Sequence, residues 1–509
     1  MTNLIPVPVL LTFFSAAVTL LFPRRPIVQR IISIGSLTGV AVIAAVFIVL
    51  TDRYGALALW IGDWPVPLGI SLVVDRLSAL MLLVASVVAL SVLLFSTGQD
   101  KDEIKRETPV SIFHPTFLLL MAGISNAFLA GDLFNLFVGF EIFLFSSYVL
   151  LTLGGTKERI RAGTTYVVVS LLSSTLFLTS LAAVYAATGT VNMAQLSIRL
   201  GQLSEPVQLL LQSMLLVTFS IKAAVFPLFS WLPDSYPTAP APVTAVFAGL
   251  LTKVGIYAII RTQTLLFPNS PLSNLLMVAA LLTMVLGILG ALAQVEIKRM
   301  LSFTLVSHLG YMVFGISLAS HTGLAATIFY TAHHITIQAA LFLVTGLIER
   351  RGGTSSLDGL GGLLKVSPVL AMLFFVPAMN LGGIPPLSGF IGKVGLLQAG
   401  AEYGGTLVWV TMIGGVATSL LTLMCMAKVW NRAFWGVTPE RPAVEEEAPE
   451  HDDDPRYMPP MMVFATGVLV TFSLTLTFLA GPLYGYAERA AESIRNQAYV
   501  STVLPEGVR

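Results

Sequence analysis

Residues 214–229 read MLLVTFSIKAAVFPLF, an apolar run that holds one lysine, Lys222, shortly before a proline, Pro227. Such a run suits the interior of a bilayer, where a charged side chain costs about 2.5–3.5 kcal/mol on insertion scales. Proline breaks or kinks a helix because it has no N–H and clashes with the preceding turn. Backbone groups freed at the break need protein or water as partners, because lipid offers none. The stretch therefore reads as a broken membrane helix with a lysine beside the break. The chain has only nine lysines, and two others lie in similar surroundings. Lys253 sits in AVFAGLLTKVGIYAII (245–260) and Lys393 in GGIPPLSGFIGKVGLLQAG (382–400). Glu141 occupies a fourth apolar stretch, LFNLFVGFEIFLFSSYVLL (133–151). Ionisable groups at bilayer depth point to a path for ions or protons.

The rest of the chain fits that reading. Of 509 residues, 55% are hydrophobic and 11% charged, against about 25% charged in soluble proteins. Apolar runs of about 20 residues, the length of a membrane helix, recur from end to end without the period-two alternation of barrel strands. The expected fold is all-α, a polytopic membrane protein with fourteen transmembrane helices. Their predicted limits are 4–23, 28–50, 70–96, 113–130, 132–153, 162–187, 206–231, 242–262, 272–295, 301–320, 323–348, 367–400, 405–434 and 458–485. The net charge of +1 and the lack of a basic patch exclude nucleic acid as a partner. A single cysteine, Cys425, excludes an internal disulfide and a cysteine-held cluster and reads as a small buried residue. No cleaved signal is expected, because Arg24 and Arg25 follow the first apolar run and no positive charge precedes it. No zinc spacing, nucleotide fingerprint or Ser-His-Asp order occurs, and GGIPPLSG lacks the ending of a phosphate loop, so no cofactor or metal is expected.

Charge sets the expected orientation. Arg24, Arg25 and Arg30 follow span one, Lys101, Lys105 and Arg106 span three, and Lys157, Arg159 and Arg161 span five. Lys298 and Arg299 follow span nine, Arg350 and Arg351 span eleven, and Lys428, Arg432 and Arg441 mark the end of span thirteen. These odd-numbered ends are predicted cytoplasmic, which puts both termini outside. The loop LPDSYPTAPAP after span seven has no basic residue, and its prolines predict a rigid, non-helical connection. The acidic segment 435–457 reads as a solvated cytoplasmic linker or, as a second reading, a docking strip for a basic partner. AERAAESIRNQ near the end suggests a short amphipathic surface helix.

Pro385 and Pro386 precede Lys393 in span twelve as Pro227 follows Lys222 in span seven. The two broken spans are five apart and so run in opposite directions. That spacing predicts two inverted five-helix repeats, 113–262 and 272–434, behind an N-terminal three-helix segment, 1–112, and before a last span with its tail, 458–509. Inverted repeats with broken helices are typical of transporters with sites near the midplane. His308 and the His333-His334 pair fall in the second repeat and suit proton relay, since an imidazole titrates near neutrality. Each candidate has a plainer reading. Glu141 could be a packing carboxylate held by Ser146 or Ser147, Lys222 and Lys393 could snorkel to an interface, and the histidines could be satisfied bundle residues. Two histidines could also bind a haem, though their spacing does not demand it. His114 and His321 read as superficial, Asp75 and Arg76 as a local ion pair, and Asp132 as the mark of an exit.

Together DLFNLFVGFEIFLFSSYVLL, IKAAVFPLFSWLPDSYPTAPAPVTAVFAGLLTKVGIYAIIR, IKRMLSFTLVSHLGYM and GGIPPLSGFIGK resemble the antiporter-like subunits of respiratory complex I and of the Mrp-type cation/proton antiporters. The resemblance runs from about span three to span thirteen and is nearest the Mrp-type branch. It implies a proton path through Glu141, Lys222, Lys253, His308, His334 and Lys393. It also implies other subunits of a hetero-oligomeric membrane complex as partners, protons and Na⁺ as the transported ions, and the cell membrane as location. This chain departs from some relatives at Gln338, where they have a lysine, so His334 and water would carry that step. Three other readings stay open: a proton-pumping subunit of complex I, a structural scaffold whose polar residues tie helices together, and a stand-alone carrier.

Overall fold

The computed structural model describes residues 2–64, 69–99, 109–268, 270–437, 457–496 and 498–504. Thirteen helices in it are long and apolar enough to cross a membrane: Thr2–Leu20, Pro26–Tyr54, Arg76–Thr97, Ser111–Leu129, Leu133–Leu151, Lys157–Thr188, Glu205–Ala223, Ala241–Leu266, Ser273–Leu292, Ile297–Ser317, His321–Gly352, Thr406–Trp435 and Pro460–Phe478. Between the eleventh and twelfth of these lie the two half-helices Pro368–Gly382 and Ser388–Tyr403. Counted as one broken span, they bring the described residues to the fourteen expected spans, of which this is the twelfth. The protein is an all-α, multi-pass membrane protein. Lys101, Lys105, Arg106, Arg441 and most of the acidic segment lie outside the described residues.

Burial ranks the spans. The most apolar windows of Ala241–Leu266 and His321–Gly352 are wholly buried, whereas only about a third of that in Pro26–Tyr54 is. Small residues let the central helices approach closely, as membrane interfaces require. A Cβ on Gly255 would lie 2.8 Å from the Ala223 backbone nitrogen, and one on Gly287 2.5 Å from that of Ser307. Spans 7 and 8, and spans 9 and 10, therefore meet almost backbone to backbone.

Features at the ends of helices recur in the two halves. Asp132 bridges Asn192, and Glu296 bridges Ser356. Two long helices lie between each pair of partners, and the second ends on a left-handed glycine, Gly189 at φ 72° and Gly353 at φ 75°. The same interval in sequence separates Asp132 from Glu296, Gly189 from Gly353 and Asn192 from Ser356. Both broken spans also stop on a left-handed residue, Ala224 at φ 53° and Gly383 at φ 82°. Alanine pays a steric cost there that glycine does not. Ala224 N–H bonds the Ile221 and Ser220 carbonyls, which holds the turn.

Several expectations are corrected. Span 7 ends at Ala223, not near 231, and Trp231–Ser235 forms a helical turn followed by a tighter one over Tyr236–Thr238, so LPDSYPTAPAP is partly helical. Proline is tolerated there because it sits in first turns, where its missing N–H has no partner to lose. An unpredicted antiparallel hairpin pairs Leu57–Trp60 with Ser71–Val74. The last span stops at Phe478, and the amphipathic tail becomes Ala480–Arg495. That helix is no free surface element: Tyr486, Ala487, Ala490, Ala491 and Ile494 are buried. Asp75 and Arg76 are not partners. Asp75 caps span 3 and accepts from the two terminal guanidinium nitrogens of Arg261, at 2.6 and 2.7 Å, while Arg76 turns to Asp52 at 3.2 Å. His114 is buried and bonds Ser33 at 3.0 Å, whereas His321 is exposed.

Candidate functional site

The candidate residues lie on six spans, and the two helix breaks hold the ends of the set. At the first break, Lys222 lies in the last turn of Glu205–Ala223. The carbonyl end of a helix carries partial negative charge, which favours an ammonium there. Its Nζ donates to Ser174 Oγ at 3.3 Å and stands 5.0 Å from the centre of the Phe140 ring. Ser174 Oγ in turn donates to Glu141 Oε1 in a short hydrogen bond. Glu141 is thus joined to Lys222 through one hydroxyl of span 6. Ser146 and Ser147, the alternative partners for Glu141, bond backbone carbonyls of their own helix and, for Ser147, Tyr166. The break also satisfies its freed backbone: Trp231 Nε1 donates to the Ile221 carbonyl and Thr283 Oγ1 accepts from Phe226 N–H. A cavity of about 20 Å³ adjoins Lys222, Ser170, Ser173 and Tyr236, enough for one water.

Lys253 is fully buried at the centre of span 8. Its Nζ donates to the Ala248 carbonyl at 2.6 Å. Ala248 lies in a π-turn, Phe247–Leu251, and such a turn displaces the regular i→i−4 bonding and often marks a functional site. Gly249 of the same turn faces span 11: a Cβ there would lie 3.2 Å from Ala339 Cβ and 3.4 Å from the Ile335 carbonyl. Span 8 therefore touches span 7 beside Lys222, through Gly255, and span 11 beside His334 and Gln338, through Gly249.

In the second half the rings are stacked. His308 and His334 have centroids 5.1 Å apart. His308 Nδ1 bonds Tyr330 Oη at 2.6 Å and its Nε2 lies 3.4 Å from Thr422 Oγ1. Tyr311 packs between His308 and Lys393, 5.5 Å from the first ring and 5.3 Å from the ammonium. Lys393 Nζ donates to Ser419 Oγ at 2.8 Å and to the Leu381 and Gly382 carbonyls at 3.0 and 3.3 Å. Those carbonyls end the half-helix Pro368–Gly382, so both terminal lysines sit at C-terminal helix ends. Neither snorkels, since Lys222 and Lys393 are 8% and 6% exposed. His333 Nδ1 bonds Ser388 Oγ at 2.9 Å, at the start of the second half-helix.

Several polar atoms along this line are buried without a hydrogen-bond partner among the described residues. They are Tyr236 Oη, Thr252 Oγ1, His333 Nε2, both ring nitrogens of His334 and Gln338 Oε1. Gln338 Nε2 donates to the Leu301 carbonyl at 2.8 Å. Leaving a buried group unbonded costs about 1–3 kcal/mol, so such a concentration calls for an explanation. Among the described residues no three His, Cys, Asp or Glu side chains gather as a metal set. Sequence reading missed Ser174, Tyr236, Tyr311 and Tyr330. Serines and tyrosines are common in membrane helices, and nothing in their spacing separates these from the rest.

Fold and site together define a multi-pass membrane protein with buried ionisable groups on several of its spans, and comparison with known proteins places it. Residues 130–422 match the family described as NADH:quinone oxidoreductase/Mrp antiporter, transmembrane, and residues 60–98 match the N-terminus of chain 5 of NADH-ubiquinone oxidoreductase (complex I). The chain belongs to the NADH:quinone oxidoreductase/Mrp antiporter family. Within it, the chain is 39% identical to the D-type subunit of the Na⁺/H⁺ antiporter of Alkalihalophilus pseudofirmus, over 99% of this chain and 100% of that one. It is 34% identical to the D-type subunit of the Na⁺/H⁺ antiporter of Bacillus subtilis, over 99% and 100%. Among solved structures it superimposes on a chain of the Mrp complex from Dietzia sp. DQ12-45-1b with a TM-score of 0.89 at 30% identity, covering 99% and 100%. It also superimposes on a chain of an archaeal membrane-bound sulfane sulfur reductase with a TM-score of 0.83 at 25% identity, covering 97% and 99%.

Proposed function

We propose that this chain is the D-type, proton-translocating subunit of a multisubunit Na⁺/H⁺ antiporter in the cell membrane. Protons would move along Glu141, Lys222, Lys253, His334, His308 and Lys393. The observation that carries the reading is the continuity of that line. Ser174 couples the first pair, the Gly255 and Gly249 contacts bring Lys253 against both neighbouring spans, and Tyr311 joins His308 to Lys393. The unbonded atoms of Tyr236, Thr252, His334 and Gln338 are suited to water that completes the links. The matching helix ends support repeat units of 113–262 and 272–434, related by inversion. In that arrangement the basic loops face the cytoplasm and both termini face outward.

Gating rests on the first pair. Two unit charges held apart by one hydroxyl, about 5–6 Å, interact by about 3 kcal/mol at an effective dielectric near 20. A change in that attraction as Glu141 or Lys222 gains or loses its proton is large enough to redirect the next transfer. Purification of the chain with its natural partners tests the assignment. Recovery with small antiporter subunits and no redox centre supports it, whereas recovery with a flavin- and iron–sulfur-bearing arm would make the chain a complex I pump.

A further inference from the structure

A second cavity, of about 170 Å³, lies beside Lys393 between Ser388–Tyr403 and Thr406–Val429. Its floor holds the ammonium with Ser419 and Gly383. Its mouth is made by Phe390, Val394, Val416 and Leu420, all on the apolar outer surface of the chain and 37–65% exposed. The cavity thus opens sideways into the layer that the spans occupy. Its walls do not suit a file of water. Tyr311 Oη is engaged by Gly415 and Thr418, Thr411 Oγ1 by Leu407 and Ser419 Oγ by the Gly382 carbonyl, which leaves the Lys393 ammonium as the charged group at the cavity.

Buried charges are normally paired. Lys393 bonds three neutral oxygens, and among the described residues no carboxylate bonds it. An apolar cavity of about 150 Å³ takes up benzene, so this one admits the head and first carbons of a chain while the remainder lies in the bilayer. We propose that the cavity binds a single-chain lipophilic carboxylate drawn from the membrane. The carboxylate pairs with the Lys393 ammonium, displacing its weakest acceptor, the Gly382 carbonyl at 3.3 Å. Bound there, it holds Lys393 in an ion pair and slows transport. That last effect rests on the proposed proton path, and the binding does not.

The test uses the intact antiporter complex in phosphatidylcholine proteoliposomes, with a diazirine-bearing palmitate as probe and the matching long-chain alcohol as control. Photolabelled peptides are mapped by mass spectrometry, and antiport is followed with and without palmitate. The expected label falls on 388–403 or 406–429 and is competed by palmitate but not by the alcohol. It drops at least about tenfold in Lys393→Met, as loss of a buried charge partner requires. Val416→Trp, which fills the mouth, and Val394→Trp in parallel, should keep antiport and lose both the label and the inhibition by palmitate. Equal competition by the alcohol, or no label because a neighbouring subunit covers the mouth, overturns the site. Specific labelling without any slowing overturns Lys393 as a transport residue and leaves the site standing.

Discussion

Glu141 and Lys222 do not touch; the hydroxyl of Ser174 stands between them, donating to the carboxylate and accepting from the ammonium at 3.3 Å. Hydrogen bonds to charged groups are worth about 1.5–3 kcal/mol each. Ser174→Ala removes two of them and leaves both charges in place. Antiport in inverted vesicles should slow by at least about tenfold, since either bond alone matches or exceeds the roughly 1.4 kcal/mol of that factor. Ser174→Thr should restore most of the rate. An unchanged rate in the alanine variant would show that the pair works without its bridge.

Tyr236 offers a second test at the same end. Its ring is buried, the residue lines the small cavity with Lys222, and its hydroxyl has no hydrogen-bond partner among the described residues. Tyr236→Phe keeps the ring and removes this hydroxyl, which is suited to hold a water there. Transport should fall by about tenfold, the factor worth one such bond at about 1–1.5 kcal/mol, with complex yield unchanged. A structural role for the ring alone predicts no loss.

The second half divides the work between His334 and Gln338. Gln338 is anchored by the Leu301 carbonyl and cannot hold a proton at neutral pH, whereas both nitrogens of His334 are buried without a hydrogen-bond partner among the described residues. His334→Ala should remove transport. Gln338→Ala should slow it by less than about tenfold, in keeping with the loss of one neutral hydrogen bond. Proton fluxes of the two variants at equal complex content provide the comparison, and the reverse ranking would shift the relay onto residue 338.

Asp75 and Arg261 predict stability rather than transport. Removing one partner of a buried pair costs about 3–5 kcal/mol, so Arg261→Ala should lower the melting temperature and yield of the complex. Joint replacement, Asp75→Asn with Arg261→Gln, should recover part of the loss. Burial pushes the Asp75 carboxyl up, but the Arg261 guanidinium and Ser78 outweigh it and hold the group below its usual range. Its stabilising contribution is therefore complete above about pH 4, the unfolded value, and fades as acid protonates it. A melting temperature that already declines between pH 7 and 5 through this pair would contradict the assignment.

The span count and both broken helices were legible because apolar length and proline are local signals. Lysines in apolar runs were legible because their cost makes them rare. Partnerships were not. Nothing near Asp75 in sequence names Arg261, and Arg76 beside it misled because adjacency stood in for contact. Ser174 was hidden for a related reason, since a hydroxyl is cheap in a membrane helix and its meaning comes only from the two groups it meets. The π-turn at Phe247–Leu251 has no compositional mark, although it supplies the carbonyl that Lys253 requires.

Lys253 is the point at which the line would be cut, because span 8 meets both span 7 and span 11 through its glycines. The most direct test is Na⁺-driven proton movement by the intact complex in proteoliposomes, comparing wild type with Lys253→Ala at matched complex content. A continuous path predicts a fully assembled complex that moves no protons. An assembled variant that transports at the normal rate would contradict it, and a complex that fails to assemble would favour a scaffold.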